Sequence, residues 1–153
     1  MKRRDFLHAA SLAALVTTPA IADKTAIRRG AKIRWKMVTA WPKNLPGPGV
    51  HANRLAALIH DMSEGRLDIK VYAAGELVPA LEVFDAVSQG TAQMGHAAPH
   101  YWTGKIPAAS FFGGVPFGLT ANEMNAWFYY GGGLELWREV YAPFGLLPMP
   151  AGN

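Results

Sequence analysis

His96 and His100, four residues apart, are the first place in this sequence where metal chemistry could be built. On a helix that spacing puts two imidazoles on one face, where they could share a zinc ion. Pro99 lies between them and no Glu stands where a zinc protease motif needs it, so a loop following a strand is the better reading. Gly131-Gly132-Gly133 invites comparison with phosphate-binding loops. It lacks both the Lys-Ser/Thr of a P-loop and the spacing of a dinucleotide turn, and it follows a helical pattern, which makes it a helix break. Ser88 and Ser110 stand in no nucleophile signature. The chain has no cysteine, which removes thiolate catalysis, iron–sulfur clusters, Cys-ligated zinc and c-type haem attachment. No catalytic group stands out, and no cofactor is expected on these residues.

Aromatic side chains are the richer signal. Most of those between Tyr101 and Tyr141 belong in a core, but Tyr101 and Trp102 follow directly on a short apolar run that reads as a strand. What they can do depends on the elements that hold them. Lys32 to Thr39 alternates, with Ile33, Trp35 and Met37 on one face and Arg34 and Lys36 on the other, as a half-buried strand does. Leu55, Leu58, Ile59 and Met62 then recur at helical spacing, in a helix ending at Gly65. Leu67 to Ala73 alternates again. A second helix from Pro79 carries Ala80, Leu81, Phe84 and Val87 and closes at Gly90, before a third strand over Thr91–Gly95. Helices over Thr120–Tyr130 and Leu134–Tyr141 and a last strand over Gly145–Met149 complete the reading. The order β-α-β-α-β predicts an α/β fold, a mostly parallel sheet flanked by helices.

In such sheets, ligands bind in loops at the carboxyl ends of the strands. Three loops reach that edge: Trp41–Pro48, Gly75–Val78 and His96–Trp102. Two of them lead into helix amino termini, which favour anions. The expected site is one for a small anionic solute, with the amphipathic aromatics of His100-Tyr101-Trp102 in one of its loops.

Charge and the start of the chain bear on location. Residues 1–43 carry ten of the 15 Lys and Arg and two acids, whereas residues 44–153 carry five bases against nine acids. The basic excess sits ahead of and within the first strand rather than on a folded face, so nucleic acid is not an expected partner. The chain opens with Lys2, Arg3 and Arg4 ahead of an apolar run from Phe6 to Ala20, too short for the ~30 Å of a bilayer. Ala20-Ile21-Ala22 fits a small-x-small cleavage site. Residues 1–22 therefore read as a signal peptide, and Arg3-Arg4 followed by Phe6-Leu7 resembles the twin-arginine type. The mature chain, residues 23–153, is expected in the periplasm.

Thr39-Ala40-Trp41-Pro42-Lys43 after the first strand and Gly75-Glu76-Leu77-Val78-Pro79 after the second resemble the solute-binding receptors of TRAP transporters. Val115-Pro116-Phe117-Gly118-Leu119 and the stretch from Asn125-Ala126-Trp127 to Gly133 do so too. The likeness covers residues 31–153 and is greatest to receptors for 2-oxo acids such as pyruvate. It implies a two-lobed periplasmic receptor that is no enzyme, of which residues 23–153 form the first lobe, and a membrane permease as partner. It implies that the chain is incomplete, because family members are more than twice this length. The arginine that pairs with the ligand carboxylate, and the Gln and Glu that hold a cation in the subgroup, would lie beyond residue 153. A bound cation and a homodimer belong to that longer form. Of the residues present, the resemblance puts Tyr101 and Asn153 nearest the ligand, with Trp41 and Trp102 lining the cleft. The rival expectation is an exported enzyme whose cofactor or catalytic half lies elsewhere.

Overall fold

Met37 and Val38 are successive residues of one strand, and each is about 1% exposed. Neighbouring side chains on a strand point to opposite faces, so burying both requires cover on both sides of the sheet. The computed structural model describes residues 31–152; the signal reading of residues 1–22 and the ligand assignment to Asn153 lie outside the described residues. Within them, β1 (Ile33–Thr39) is the middle of a three-stranded parallel sheet, flanked by β2 (Leu67–Tyr72) and β3 (Met94–His96). The helix α1 (Pro48–Met62) covers the Met37 face, where Ala52, Ala56 and Ile69 are buried with it. On the other face α2 (Val83–Ser88), entered through a 3-10 turn over Ala80–Glu82, buries Val83 and Ala86 against Val38, Ala40 and Ala92.

A separate aromatic core lies beyond the sheet. Phe112, Phe128 and Trp137 stack, with ring centroids 5.4 Å and 5.3 Å from Trp137 to the two phenylalanines. They come from a 3-10 turn over Pro107–Phe112 and from α3 (Ala121–Tyr130) and α4 (Gly133–Tyr141). Phe84 on α2 meets Tyr141 edge-on at 5.9 Å, which joins this core to the sheet layer. At the start of α3 the Glu123 carboxylate accepts hydrogen bonds from both the backbone N–H and the hydroxyl of Thr120. Among the described residues no helix is long and apolar enough to cross a membrane.

The α/β order and parallel sheet agree with the sequence reading, but five local expectations need correction, the first being Leu81 of the expected second-helix stripe, which is 66% exposed on the 3-10 turn ahead of α2. Ile33 and Trp35 are 50% and 37% exposed rather than buried, because β3 pairs only with residues 37–39 of β1. The inner stripe of α1 is Ala52, Leu55, Ala56 and Ile59, leaving Leu58 and Met62 outside at 48% and 85% exposure. It has the same spacing as the expected stripe but begins one turn earlier, at an alanine that lets helix and strand approach closely. The third strand starts at Met94, not Thr91, because at Gln93 the side chain rather than a backbone carbonyl accepts the Lys36 N–H, although the Gln93 N–H still donates to the Lys36 carbonyl. Residues 145–149 form no strand. A strand needs a ladder partner, none is adjacent among the described residues, and Pro148 has no N–H to offer.

Candidate functional site

β1 ends at the buried Thr39, which stands in register with His96 at the end of β3. The chain leaving β1 is tied at once to both neighbouring strands. Ala40 N–H donates to the His96 carbonyl at 3.1 Å, and Ala74 N–H donates to the Trp41 carbonyl at 2.9 Å. Side chains repeat the pattern. The Trp41 indole N–H donates to His96 Nδ1 at 2.6 Å, and Lys43 pairs with Glu76 at 3.5 Å. All three loops named from the sequence therefore meet at the carboxyl edge of the sheet.

Tyr101 completes the cluster. It sits on a 3-10 turn over Pro99–Trp102, its ring 5.9 Å from that of Trp41 and 4.8 Å from that of His100. It remains 37% exposed, so one edge of the Trp41–Tyr101 pair is open to a solute. Trp102, expected beside them, goes elsewhere: its indole donates to the Tyr141 hydroxyl and its ring lies 5.3 Å from Phe84. A 3-10 turn rotates successive residues by about 120°, so neighbours cannot share a face. The structure brings Trp41 and Tyr101 together and sends Trp102 into the aromatic core.

Electrostatics at this edge are modest. Glu76 is held below the usual carboxylate range, first by the Ala73 N–H it accepts at 2.9 Å and then by Lys43. Burial, and after it the nearby His51, press His96 below the ordinary histidine value. Among the described residues no three His, Asp or Glu side chains are grouped to hold a metal. The edge offers an aromatic wall, indole and imidazole polar atoms, and one cation already engaged with Glu76.

A cavity of different character lies away from this edge. It is an apolar groove of about 510 Å³ between the Pro107–Phe112 turn and α3 and α4, lined by Phe111, Val115, Leu119, Met124, Trp127 and Leu136 among others. It shares no lining residue with the loop cluster and has nothing to hold an anion. Sequence reasoning missed His96 as the partner of Trp41. The signal for it was present in the register, since a histidine ending β3 falls opposite the residue two before Trp41.

Comparison with known proteins identifies the family. The family model for DctP, bacterial extracellular solute-binding protein family 7, matches residues 38–145. The monocarboxylate 2-oxoacid-binding periplasmic protein of Nostoc sp. is 42% identical, over 100% of this chain and 43% of its own. A TRAP periplasmic solute-binding protein of Pseudoalteromonas atlantica, solved with sodium and pyruvate, is 45% identical with a TM-score of 0.76, over 78% of this chain and 36% of its own. Another from Colwellia psychrerythraea, with calcium and pyruvate, is 44% identical with the same TM-score of 0.76 and the same coverage of 78% and 36%. The chain thus spans less than half the length of each of these relatives. Its described residues carry a parallel sheet flanked by helices that matches one portion of those structures, and the chain belongs to family 7 of the bacterial extracellular solute-binding proteins.

Proposed function

We propose that this protein is an extracytoplasmic receptor for a small organic anion, a 2-oxo acid such as pyruvate, serving a TRAP-type membrane permease. The observation that carries the reading is the meeting of Trp41 and Tyr101 where three strand-end loops converge. Relatives 42–45% identical are described as binding a 2-oxoacid or were solved with pyruvate. Tyr101 and Trp41 face the solute, Trp102 backs the wall from the core side, and Asn153 adds a polar contact. Residues 23–153 belong to the first lobe of this receptor, and residues 1–22 direct export by the twin-arginine route to the periplasm. A cation accompanies the ligand, as sodium and calcium do in the two pyruvate complexes. A homodimer is the proposed assembly. The family binds solutes and performs no catalysis on them.

Pyruvate has roughly six non-hydrogen atoms, and the best small ligands gain at most about 1.5 kcal/mol from each. The ceiling near 9 kcal/mol corresponds to roughly micromolar affinity or slightly better. The test is titration calorimetry on the protein produced from its own reading frame, with pyruvate and a panel of 2-oxo acids. Low-micromolar binding of a 2-oxo acid, weakened about tenfold or more by Tyr101→Ala, is expected for a desolvated aromatic contact. Absence of binding across the panel would refute the ligand class.

A further inference from the structure

The hydrogen bond between Trp41 and His96 fixes the position of a proton. An indole N–H only donates, so the His96 Nδ1 that receives it at 2.6 Å must present a lone pair. His96 in this arrangement is neutral, with its proton on Nε2. Its ring meets the indole nearly edge-on, with centroids 6.1 Å apart, and the same indole packs against Tyr101. The backbone beneath is held independently by the Ala40 N–H to His96 carbonyl bond. A change at the imidazole therefore moves side chains and leaves the sheet alone.

We infer that His96 is the positioning residue of the Trp41–Tyr101 face: accepting the indole N–H holds Trp41 in place, and a proton taken up on Nδ1 releases it. Once Nδ1 carries a proton, two donors face each other and the bond is lost. The titratable and charged groups near this end of the sheet include His51 on α1, Tyr72 at the end of β2, Lys43 and Glu76 paired with each other, Asp85 on α2 paired with Lys105, and His100 and Tyr101 on the turn after β3. Burial is the larger influence against a charge on His96, and of these groups His51 adds to it when it is itself positively charged. The ring is thus held in its bonding state at neutral pH and released in acid. This rests on reading the Trp41–Tyr101 face as the solute site.

Nitrogen-15 spectra of the imidazole and indole groups of the full chain test the latch without any ligand. At neutral pH His96 should be the Nε2–H tautomer, and on acidification the Trp41 indole signal should move in step with the His96 ring. His96→Asn places an amide oxygen near the Nδ1 position and should keep the indole bonded at every pH, whereas His96→Phe should leave it free throughout. Pyruvate affinity should fall roughly three- to tenfold across the same step, the scale of one neutral hydrogen bond, and should lose that step in His96→Asn. A Trp41 signal unmoved while His96 titrates, a neutral Nδ1–H tautomer, or an acid loss of affinity that persists in His96→Asn would each overturn the inference. An intact indole step without pyruvate binding would instead refute the ligand assignment alone.

Discussion

Gly133 lies flat against the indole of Trp127, so close that a Cβ at that position would stand 2.6 Å from the ring's Cδ2 atom. The first turn of α4 is packed directly on α3 at this point. The half-buried Trp127 ring stacks on Phe112 at 5.8 Å and on Phe128 at 5.4 Å, so moving it disturbs both contacts even though it also borders the apolar groove. Gly133→Ala adds helix propensity worth up to about 1 kcal/mol, but forcing a methyl group against the stacked indole costs about 1–3 kcal/mol. The expected net effect is destabilisation. It should appear as a lower urea midpoint with an unchanged denaturant slope, and a midpoint equal to or above the parent's would show that the ring moves freely.

How much of this arrangement was legible beforehand depends on how far apart its parts lie. The alternation in β1 and β2, and the break between α3 and α4, are local, and the sequence pattern located them. The phase of α1 was misread because alanines at positions 52 and 56 carry little hydrophobic weight, yet their small size is what seats the helix on Met37. Loop position pointed to the edge where Trp41 and Tyr101 lie, and the family resemblance singled out the two residues there. The separation of Tyr101 from Trp102 was not legible, since it depends on a 3-10 turn and on Tyr141, a residue 39 positions away. The Trp41–His96 bond spans 55 positions and follows only from strand register.

Acid stability should show two windows. The unfolded chain protonates its histidines near the ordinary value of about 6.5, whereas folded His96 takes a proton only at lower pH. The unfolded state then binds more protons, so stability falls as pH drops from about 6.5 through the folded value of His96 and levels off below it. Glu76 and Glu123 are lowered by backbone N–H groups at Ala73 and Thr120, and their stabilisation is present above the ordinary carboxylate value and lost as pH falls through their folded values. Denaturation across pH should show the upper step disappear in His96→Asn while the lower remains. Persistence of the upper step would assign it to another histidine.

Export offers a test independent of the fold. If residues 1–22 act as a twin-arginine signal, replacing Arg3 and Arg4 by Lys should retain the protein in the cytoplasm, and wild-type periplasmic material should begin at Asp23. Amino-terminal analysis and cell fractionation check both points. Undiminished export of the double-Lys variant would indicate the general secretory route.

Trp102 and Tyr101 are adjacent in sequence and differ in surroundings, so they should separate binding from stability. Trp102 donates its indole N–H to Tyr141 and packs on Phe84 inside the aromatic core. Trp102→Phe keeps most of the ring but removes the donor, which should cost about 0.5–1.5 kcal/mol of stability for the lost bond, with a further loss of packing. The Tyr141 hydroxyl, already pushed up in pKa by burial, would lose one of its partners. Because the contacts of Trp102 are with Tyr141 and Phe84 and not with the Trp41–Tyr101 pair, the affinity of folded protein for a 2-oxo acid should change less than twofold, an effect under about 0.4 kcal/mol. Tyr101→Phe should do the reverse, preserving stability because the ring is exposed on one side, and losing affinity to the extent that its hydroxyl meets the solute. Paired calorimetry and urea denaturation on both variants give the answer. Loss of binding in Trp102→Phe with unchanged stability would place Trp102 in the cleft and Tyr101 outside it.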